Sequence, residues 1–193
     1  MKKEVEIEEI SIRNATFDTR GFIDGVVVSG HLGELFLESH GVVFSPETAR
    51  INEFSVKNTD VSLTLGSIES TDTVPSEPLY WKILLDEIDF ENVGFALKMP
   101  QDSLFVRTML PKTTLKNGVI DLKEASYYVK SFGIDNAELA YGPKEELFLQ
   151  QIGLQLDSIY YCGKDIRANI EEFVLKERSG LELVSTEGRI VSD

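Results

Sequence analysis

A spaced apolar pattern recurs along the chain and constrains its fold more than any other feature of the sequence. The clearest copy starts at Ile51, with further apolar residues at offsets 3, 5, 10 and 12 and with Asn58 at offset 7. Four more copies follow the same spacing and start at Ile7, Leu85, Val129 and Leu149. Only Thr19 breaks the apolar pattern, although apolar residues make up just 42% of the sequence. A regular internal repeat predicts an elongated, stacked architecture.

An asparagine stands between the two apolar pairs in four of the five copies, at Asn14, Asn58, Asn92 and Asn136. In the fifth copy Leu156 takes its place. Offsets 3 and 5 share one face of a strand, and so do offsets 10 and 12, but the odd step between the pairs requires a change of phase. Asparagine tolerates left-handed backbone and favours turns. Each copy is therefore predicted to be a β-hairpin with one apolar face, with a longer turn or a bulge at the asparagine.

The apolar positions at offsets 3 to 12 form a candidate binding stripe, which has two interpretations. Two sheets could close over it as a sandwich core, and the pattern alone favours this arrangement. Alternatively, one long curved sheet could leave the stripe open as a groove for acyl chains or another apolar partner. The candidate groove-lining residues are Ile10, Ile12, Phe17, Phe54, Val56, Val61, Leu63, Ile88, Phe90, Phe95, Leu97, Phe132, Ile134, Leu139, Tyr141, Ile152, Leu154, Ile159 and Tyr161.

The chain as a whole is predicted to be all-β, because apolar residues nowhere repeat with the helical period of 3.6 over a long stretch and turn signals are frequent. Offset 3 of the repeat falls at residues 10, 54, 88 and 132, so a larger unit of 78 residues occurs about twice. Residues 67–78 are rich in Ser, Thr and Pro, which is typical of a loop or linker. They suggest a division into a first β-repeat block at 1–66, a loop at 67–80 and a second block at 81–193. Asn117-Gly118 is the strongest hairpin signal in the second block.

Composition and charge exclude several classes of partner. The formal net charge is −14, which argues against nucleic acid and against docking on anionic lipid headgroups. The single cysteine, Cys162, cannot form an internal disulfide and is interpreted as a small apolar side chain. The sequence has no transmembrane run and no signal peptide. The sequence is interpreted as a segment of a longer repeat protein. The two absences therefore do not determine the cellular compartment.

No constellation typical of an enzyme can be assembled. His31 and His40 could meet across a turn and, with Glu34 or Glu38, could in principle ligate a metal, but their spacing matches no known site. Phosphate-binding loops, nucleophile elbows and cysteine pairs do not occur. Paired acids such as Glu8-Glu9, Asp86-Glu87 and Glu171-Glu172 recur at repeat positions and are interpreted as solvated features. The sequence predicts a non-catalytic protein with no cofactor and no metal.

Taken together, the repeats resemble those of the AsmA-like family, TamB in particular. The segments that carry the resemblance include Leu85–Phe95, Leu122–Tyr141, Ile152–Tyr161 and Phe173–Leu183, together with the Ser/Pro-rich run before Trp81. The likeness covers nearly the whole chain through degenerate patterns rather than an invariant motif. Members of this family are very large envelope proteins of Gram-negative bacteria.

The resemblance implies a fold and a function. The fold would be a half-pipe of β-sheet with an apolar inner face, held in the periplasm by a parent protein anchored in the inner membrane. The function would be phospholipid transport to the outer membrane and outer-membrane biogenesis. The partners would be phospholipid acyl chains and the neighbouring β-repeats of the parent chain. The expected chain is an internal segment without the family's membrane anchor and barrel-binding region. The alternative is a closed β-sandwich serving as a binding or structural module of a surface or secreted protein.

Overall fold

The computed structural model describes residues 4–5, 8–20, 25–44, 47–66, 80–163 and 165–192. Its eleven strands form one open, mixed sheet. The strands are β1 Glu4–Val5, β2 Glu9–Asp18, β3 Val26–Phe44, β4 Glu47–Leu65, β5 Lys82–Met99, β6 Leu104–Asp121, β7 Ser126–Tyr141, β8 Leu147–Cys162, β9 Asp165–Glu177, β10 Glu182–Ser185 and β11 Gly188–Ser192.

Strands β3 to β9 lie side by side in chain order. One edge of the sheet consists of β1 and β2, which both pair with β3, and the other consists of β10 and β11, which both pair with β9. All neighbours are antiparallel except β4 and β5, which are parallel. The all-β prediction is confirmed. The alternative sandwich is not the arrangement found, because all strands of the described ranges belong to one sheet.

The described residues contain no α-helix, and the short 3₁₀ turn Pro100–Asp102 precedes β6. Within the described ranges, no helix is long and apolar enough to cross a membrane.

The asparagines of the repeat lie inside strands, so the predicted hairpin within each copy is wrong. The first four copies occupy β2, β4, β5 and β7, each an unbroken strand. The asparagines do adopt the left-handed backbone that this residue type tolerates, since the φ angles of Asn14, Asn58, Asn92 and Asn136 are 53°, 50°, 53° and 55°. One left-handed residue reverses the alternation of side chains, and this places both apolar pairs on the same face without a turn.

Two further predictions, a hairpin turn at Asn117-Gly118 and the alignment of the fifth copy, are wrong. Asn117-Gly118 is not a hairpin turn, because it lies within β6, where Asn117 has a φ of 53°. The fifth copy is misaligned, because β8 runs antiparallel to β7 and pairs Leu156 with Phe132. The left-handed residue of β8 is Ser158, 41 residues after Asn117. Strand β8 therefore corresponds to β6 rather than to the strands that carry the repeat.

Strands β2–β4 and β5–β7 form two three-stranded units with the same register. The pair Ile10↔Leu37 recurs as Ile88↔Leu115, a shift of 78 residues on both strands. The pairing of the second with the third strand of each unit repeats with the same shift. In each unit the outer strands carry the repeat and the middle strand does not. The 78-residue rhythm of the sequence thus corresponds to an antiparallel meander of three strands.

The two units join through the parallel pair β4–β5, in which each residue lies opposite the residue 34 positions later. Phe54 pairs with Ile88 in this way, and the side chain of Asn92 donates a hydrogen bond to Asn58. Both sequence blocks consequently contribute to a single sheet. The predicted boundary loop at 67–80 falls almost wholly on 67–79, which lie outside the described residues.

The sheet has almost no buried core among its described residues. The buried apolar side chains are Val56, Leu85, Ala137, Ala140 and Ala168, and no large side chain is fully buried. Packing occurs instead between neighbours on the same face of the sheet. The rings of Phe54 and Phe90 meet edge to face with centroids 6.2 Å apart, and those of Tyr127 and Tyr161 lie 5.5 Å apart.

Candidate functional site

One face of the sheet, termed here the apolar face, collects the side chains of the predicted stripe. Residues directly opposite each other on paired strands project to the same side. The register links every predicted groove-lining residue to this face, from Ile10 and Phe17 on β2 to Ile159 and Tyr161 on β8. The left-handed residues at repeat offset 7 make this possible, because without them offsets 3 and 10 would project to opposite faces.

The apolar face is crossed by a continuous line of apolar side chains, termed the first apolar row. It contains one residue from each of eight adjacent strands. In order across the sheet these are Ile10, Leu37, Phe54, Ile88, Leu115, Phe132, Leu156 and Ile170. At about 4.8 Å between strands the row is about 34 Å long. Ile10 is 37% exposed, and the other seven members are only half-buried.

A second apolar row runs beside the first, two residues further along β2. It consists of Ile12, Leu35, Val56, Phe90, Thr113, Ile134, Leu154 and Phe173. Its one polar member, Thr113, is buried, and its hydroxyl has no hydrogen-bond partner among the described residues. The two rows together form a broad apolar surface that extends without a break from the first unit into the second.

The opposite side of the sheet, the polar face, carries rows of charged side chains. One row alternates in sign at every strand from β2 to β7, through Arg13, Glu34, Lys57, Glu91, Lys112 and Asp135. Arg13 lies 3.4 Å from Glu34, and Lys57 lies 3.6 Å from Glu91. Exposed ion pairs of this kind add little stability. Their effect is to keep this part of the polar face hydrated.

A further ion pair on the polar face joins Glu87 of β5 to Lys116 of β6, with 2.8 Å between carboxylate and ammonium. Its hydrogen bond and charge raise the pKa of Lys116 above its ordinary value of 10.5. Lys116 therefore holds its proton to a higher pH than an unpaired lysine.

A local concavity of about 410 Å³ also lies on the polar face and is lined by residues of β3 to β8. Its apolar lining includes Gly94, Ala96, Met109 and Ala140, and Phe148 closes one side beneath the guanidinium of Arg178, 4.2 Å from the ring centroid. Charged side chains interrupt its rim. Like the apolar rows, it extends across the junction between the two three-stranded units.

The histidines do not form a site. His31 and His40 both lie on β3 rather than across a turn, and nine residues of extended strand separate them by about 30 Å. His40 is hydrogen-bonded to Asn52 instead, with 2.6 Å between Nδ1 and Oδ1. Across the described ranges, no group of three or more His, Cys, Asp and Glu side chains is arranged to hold a metal. Cys162 is unpaired and half-buried at the end of β8.

Sequence reasoning missed the residues that the middle strands contribute to the apolar face. Leu35 and Leu37 of β3 and Leu115 of β6 stand between the repeat strands and complete both rows. The signal for them was the same 78-residue shift, which relates Leu37 to Leu115. These residues lie outside the repeat copies, so the spacing of the repeat alone does not identify them.

No protein-family model matches the chain, and no curated protein matches it either.

Proposed function

We propose that this chain is a non-catalytic segment of an AsmA/TamB-like envelope protein and that its apolar face binds phospholipid acyl chains. In this proposal the sheet curves into a groove in the periplasm, within a parent protein anchored in the inner membrane. The bound lipid would be moving toward the outer membrane. The resemblance of the repeats supplies the family. The binding role rests on the first apolar row, over which the described residues place no second sheet.

The dimensions of the apolar face support an acyl chain as the ligand. One leaflet of a bilayer holds acyl chains in about 15 Å of hydrocarbon, half the thickness of the whole core. The first apolar row is about twice that length. Each methylene removed from water contributes about 0.8 kcal/mol. Binding of this kind requires no catalytic group, and the headgroup can remain in water beside the sheet.

Two neighbouring residues of β7 provide a matched test of this proposal. Phe132 belongs to the first apolar row, whereas Ser131 pairs with Lys116 and Asp157 on the polar face. Phe132→Asp and Ser131→Asp introduce the same charge one residue apart on opposite sides of the sheet. Native mass spectrometry and lipid extraction of protein from bacterial cells should show phospholipid on the wild type and on Ser131→Asp. The Phe132→Asp protein should carry none.

Two controls separate binding from folding and from nonspecific association. Circular dichroism should show the same strand content in all three proteins. A photoreactive amino acid at Phe90 should cross-link to added phospholipid, and the same group at Glu91 should not. A wild-type protein that carries no lipid and takes up none when phospholipid is supplied would contradict the proposal. Equal lipid loss in both folded aspartate variants would contradict the assignment to the apolar face.

A further inference from the structure

The outer edge of β2 is equivalent to an edge that is occupied elsewhere in the sheet. Strand β2 is the first strand of its three-stranded unit, as β5 is of the second unit, and both pair with their middle strand in the same register. The outer edge of β5 is covered by β4 in parallel. The described residues place no strand on the outer edge of β2.

The local geometry of β2 matches that of β5. Asn14 and Asn92 both have a φ of 53°. The side chain of Asn92 is hydrogen-bonded across the parallel junction to Asn58. Asn14 is exposed at the equivalent place, so it can make the same contact with an asparagine from a partner strand.

We propose that the outer edge of β2 binds an extended strand of another repeat of this type, in parallel and in the register of the β4–β5 junction. The partner strand would place an apolar residue opposite Ile10 and another opposite Ile12, and its repeat asparagine opposite Asn14. Parallel addition of a strand to a sheet edge satisfies the free backbone groups and extends both apolar rows by one residue. The inference goes beyond lipid binding and does not depend on it.

Charge selects among such strands. At the β4–β5 junction Lys57 faces Glu91 at 3.6 Å. Arg13 occupies the place of Glu91 on β2, so the partner needs an acid where β4 has a lysine. Strand β7 has that acid, because Asp135 stands 78 residues after Lys57 and directly before Asn136. The preferred partner is thus an acidic variant of the repeat, with Asp or Glu immediately before its asparagine.

A second copy of this chain does not supply that strand. Both edges of β7 are already paired, one with β6 and the other with β8. The free edges of the described sheet belong to β1, β2, β10 and β11, and of these only β2 carries the repeat. Its own residue before the asparagine is Arg13, which would repel the Arg13 of another copy.

Labelled peptides test the charge rule directly. A peptide with the sequence of residues 126–141 should bind the intact chain, as measured by fluorescence anisotropy. The same peptide with Asp135→Lys should bind about fivefold more weakly, because an opposed pair becomes a like-charged one. In the Arg13→Glu protein the preference should reverse, so that the lysine peptide binds better. Arg13→Glu replaces the Arg13–Glu34 ion pair with two facing carboxylates. Both side chains are well exposed, at 70% and 40%, so the loss of stability should be small and the fold should remain intact, which circular dichroism checks.

Disulfide cross-linking tests position and direction. In a Cys162→Ser background, Ile12→Cys should cross-link to the peptide carrying Ile134→Cys, since paired strands hold Cα atoms within disulfide reach. A peptide cysteine at position 139 should not react. Absence of peptide binding, equal binding of both charge forms, or cross-linking to Val191→Cys on β11 would overturn the proposal. So would a chain that dimerises through Ile12→Cys, since its occupant would then be a second copy.

Discussion

Asn58 and Asn92 occupy the same position in two copies of the repeat and lie side by side on parallel strands, with 3.2 Å between Asn92 Nδ2 and Asn58 Oδ1. Both residues have left-handed backbone in the middle of a long strand. This pairing holds the two units in register and aligns the apolar rows across their junction. The asparagines are therefore both a conformational and a pairing element of the sheet.

The first prediction concerns the left-handed backbone at Asn58. Asn58→Val places a β-branched residue at a φ of 50° and should lower the free energy of unfolding by about 1–2 kcal/mol. Asn58→Gly keeps access to this conformation and should cost less, although it also loses the side-chain hydrogen bond. Urea unfolding followed by circular dichroism measures both values. Equal losses in the two variants would mean that the hydrogen bond, and not the backbone conformation, is what matters.

Gly30 and Gly153 form a second matched pair, both in strands but with different surroundings. A Cβ atom on Gly30 would collide with the backbone carbonyl oxygen of Asp60, whereas one on Gly153 would lie 3.5 Å from Val174 Cβ. Gly30→Ala should lower the thermal midpoint clearly, because the backbone of β4 must move. Gly153→Ala should leave it unchanged or raise it slightly, since alanine reduces the entropy of the unfolded chain. Differential scanning calorimetry makes the comparison, which fails if Gly30→Ala is neutral.

The buried hydroxyl of Thr113 supplies a third prediction. It has no hydrogen-bond partner among the described residues, whereas Thr108 Oγ1 donates to the carbonyl oxygen of Glu138 at 2.8 Å. Thr113→Val removes an unsatisfied polar atom and keeps the shape of the side chain, so it should increase the free energy of unfolding by about 1 kcal/mol. Thr108→Val breaks a hydrogen bond and should not be stabilising. A destabilised Thr113→Val protein in chemical denaturation would indicate that the hydroxyl is satisfied in solution.

A fourth prediction follows from the raised pKa of Lys116. Its stabilising interaction with Glu87 is complete below the ordinary lysine pKa of 10.5 and disappears as pH rises through the higher folded-state pKa. In Glu87→Gln, the pKa of Lys116 should fall back toward 10.5. Titration of the lysine side chains by NMR resolves the change. An unchanged pKa of Lys116 in Glu87→Gln would contradict the assignment of the shift to this ion pair.

Much of the apolar face could be predicted from the spacing of its residues. The odd step between the two apolar pairs demanded a phase change, and Asn58 and its equivalents were the residues able to make it. What the spacing could not distinguish was a turn from a left-handed residue within a continuous strand, because the same asparagine suits both. The hairpin turn predicted at Asn117-Gly118 was wrong for the same reason.

The direction in which neighbouring strands pair could not be predicted from the spacing of apolar residues. The 34-residue spacing of Phe54 and Ile88 is visible in the sequence, but a parallel and an antiparallel neighbour have the same alternation of side chains. The apparent fifth copy, around Leu156, arose because a strand that runs the opposite way can satisfy the same template by coincidence. The arrangement of all described strands in one sheet could not be predicted either, since a covered and an uncovered apolar face share one pattern.

The repeated register of the two units fixes how much each unit adds to the length of the sheet. Each unit of 78 residues contributes three strands and so lengthens the apolar surface by about 14 Å without altering the rows that cross it. Loss or duplication of one unit would change the span of the protein in a fixed step and leave its cross-section the same. The number of copies would therefore set the length of the apolar surface.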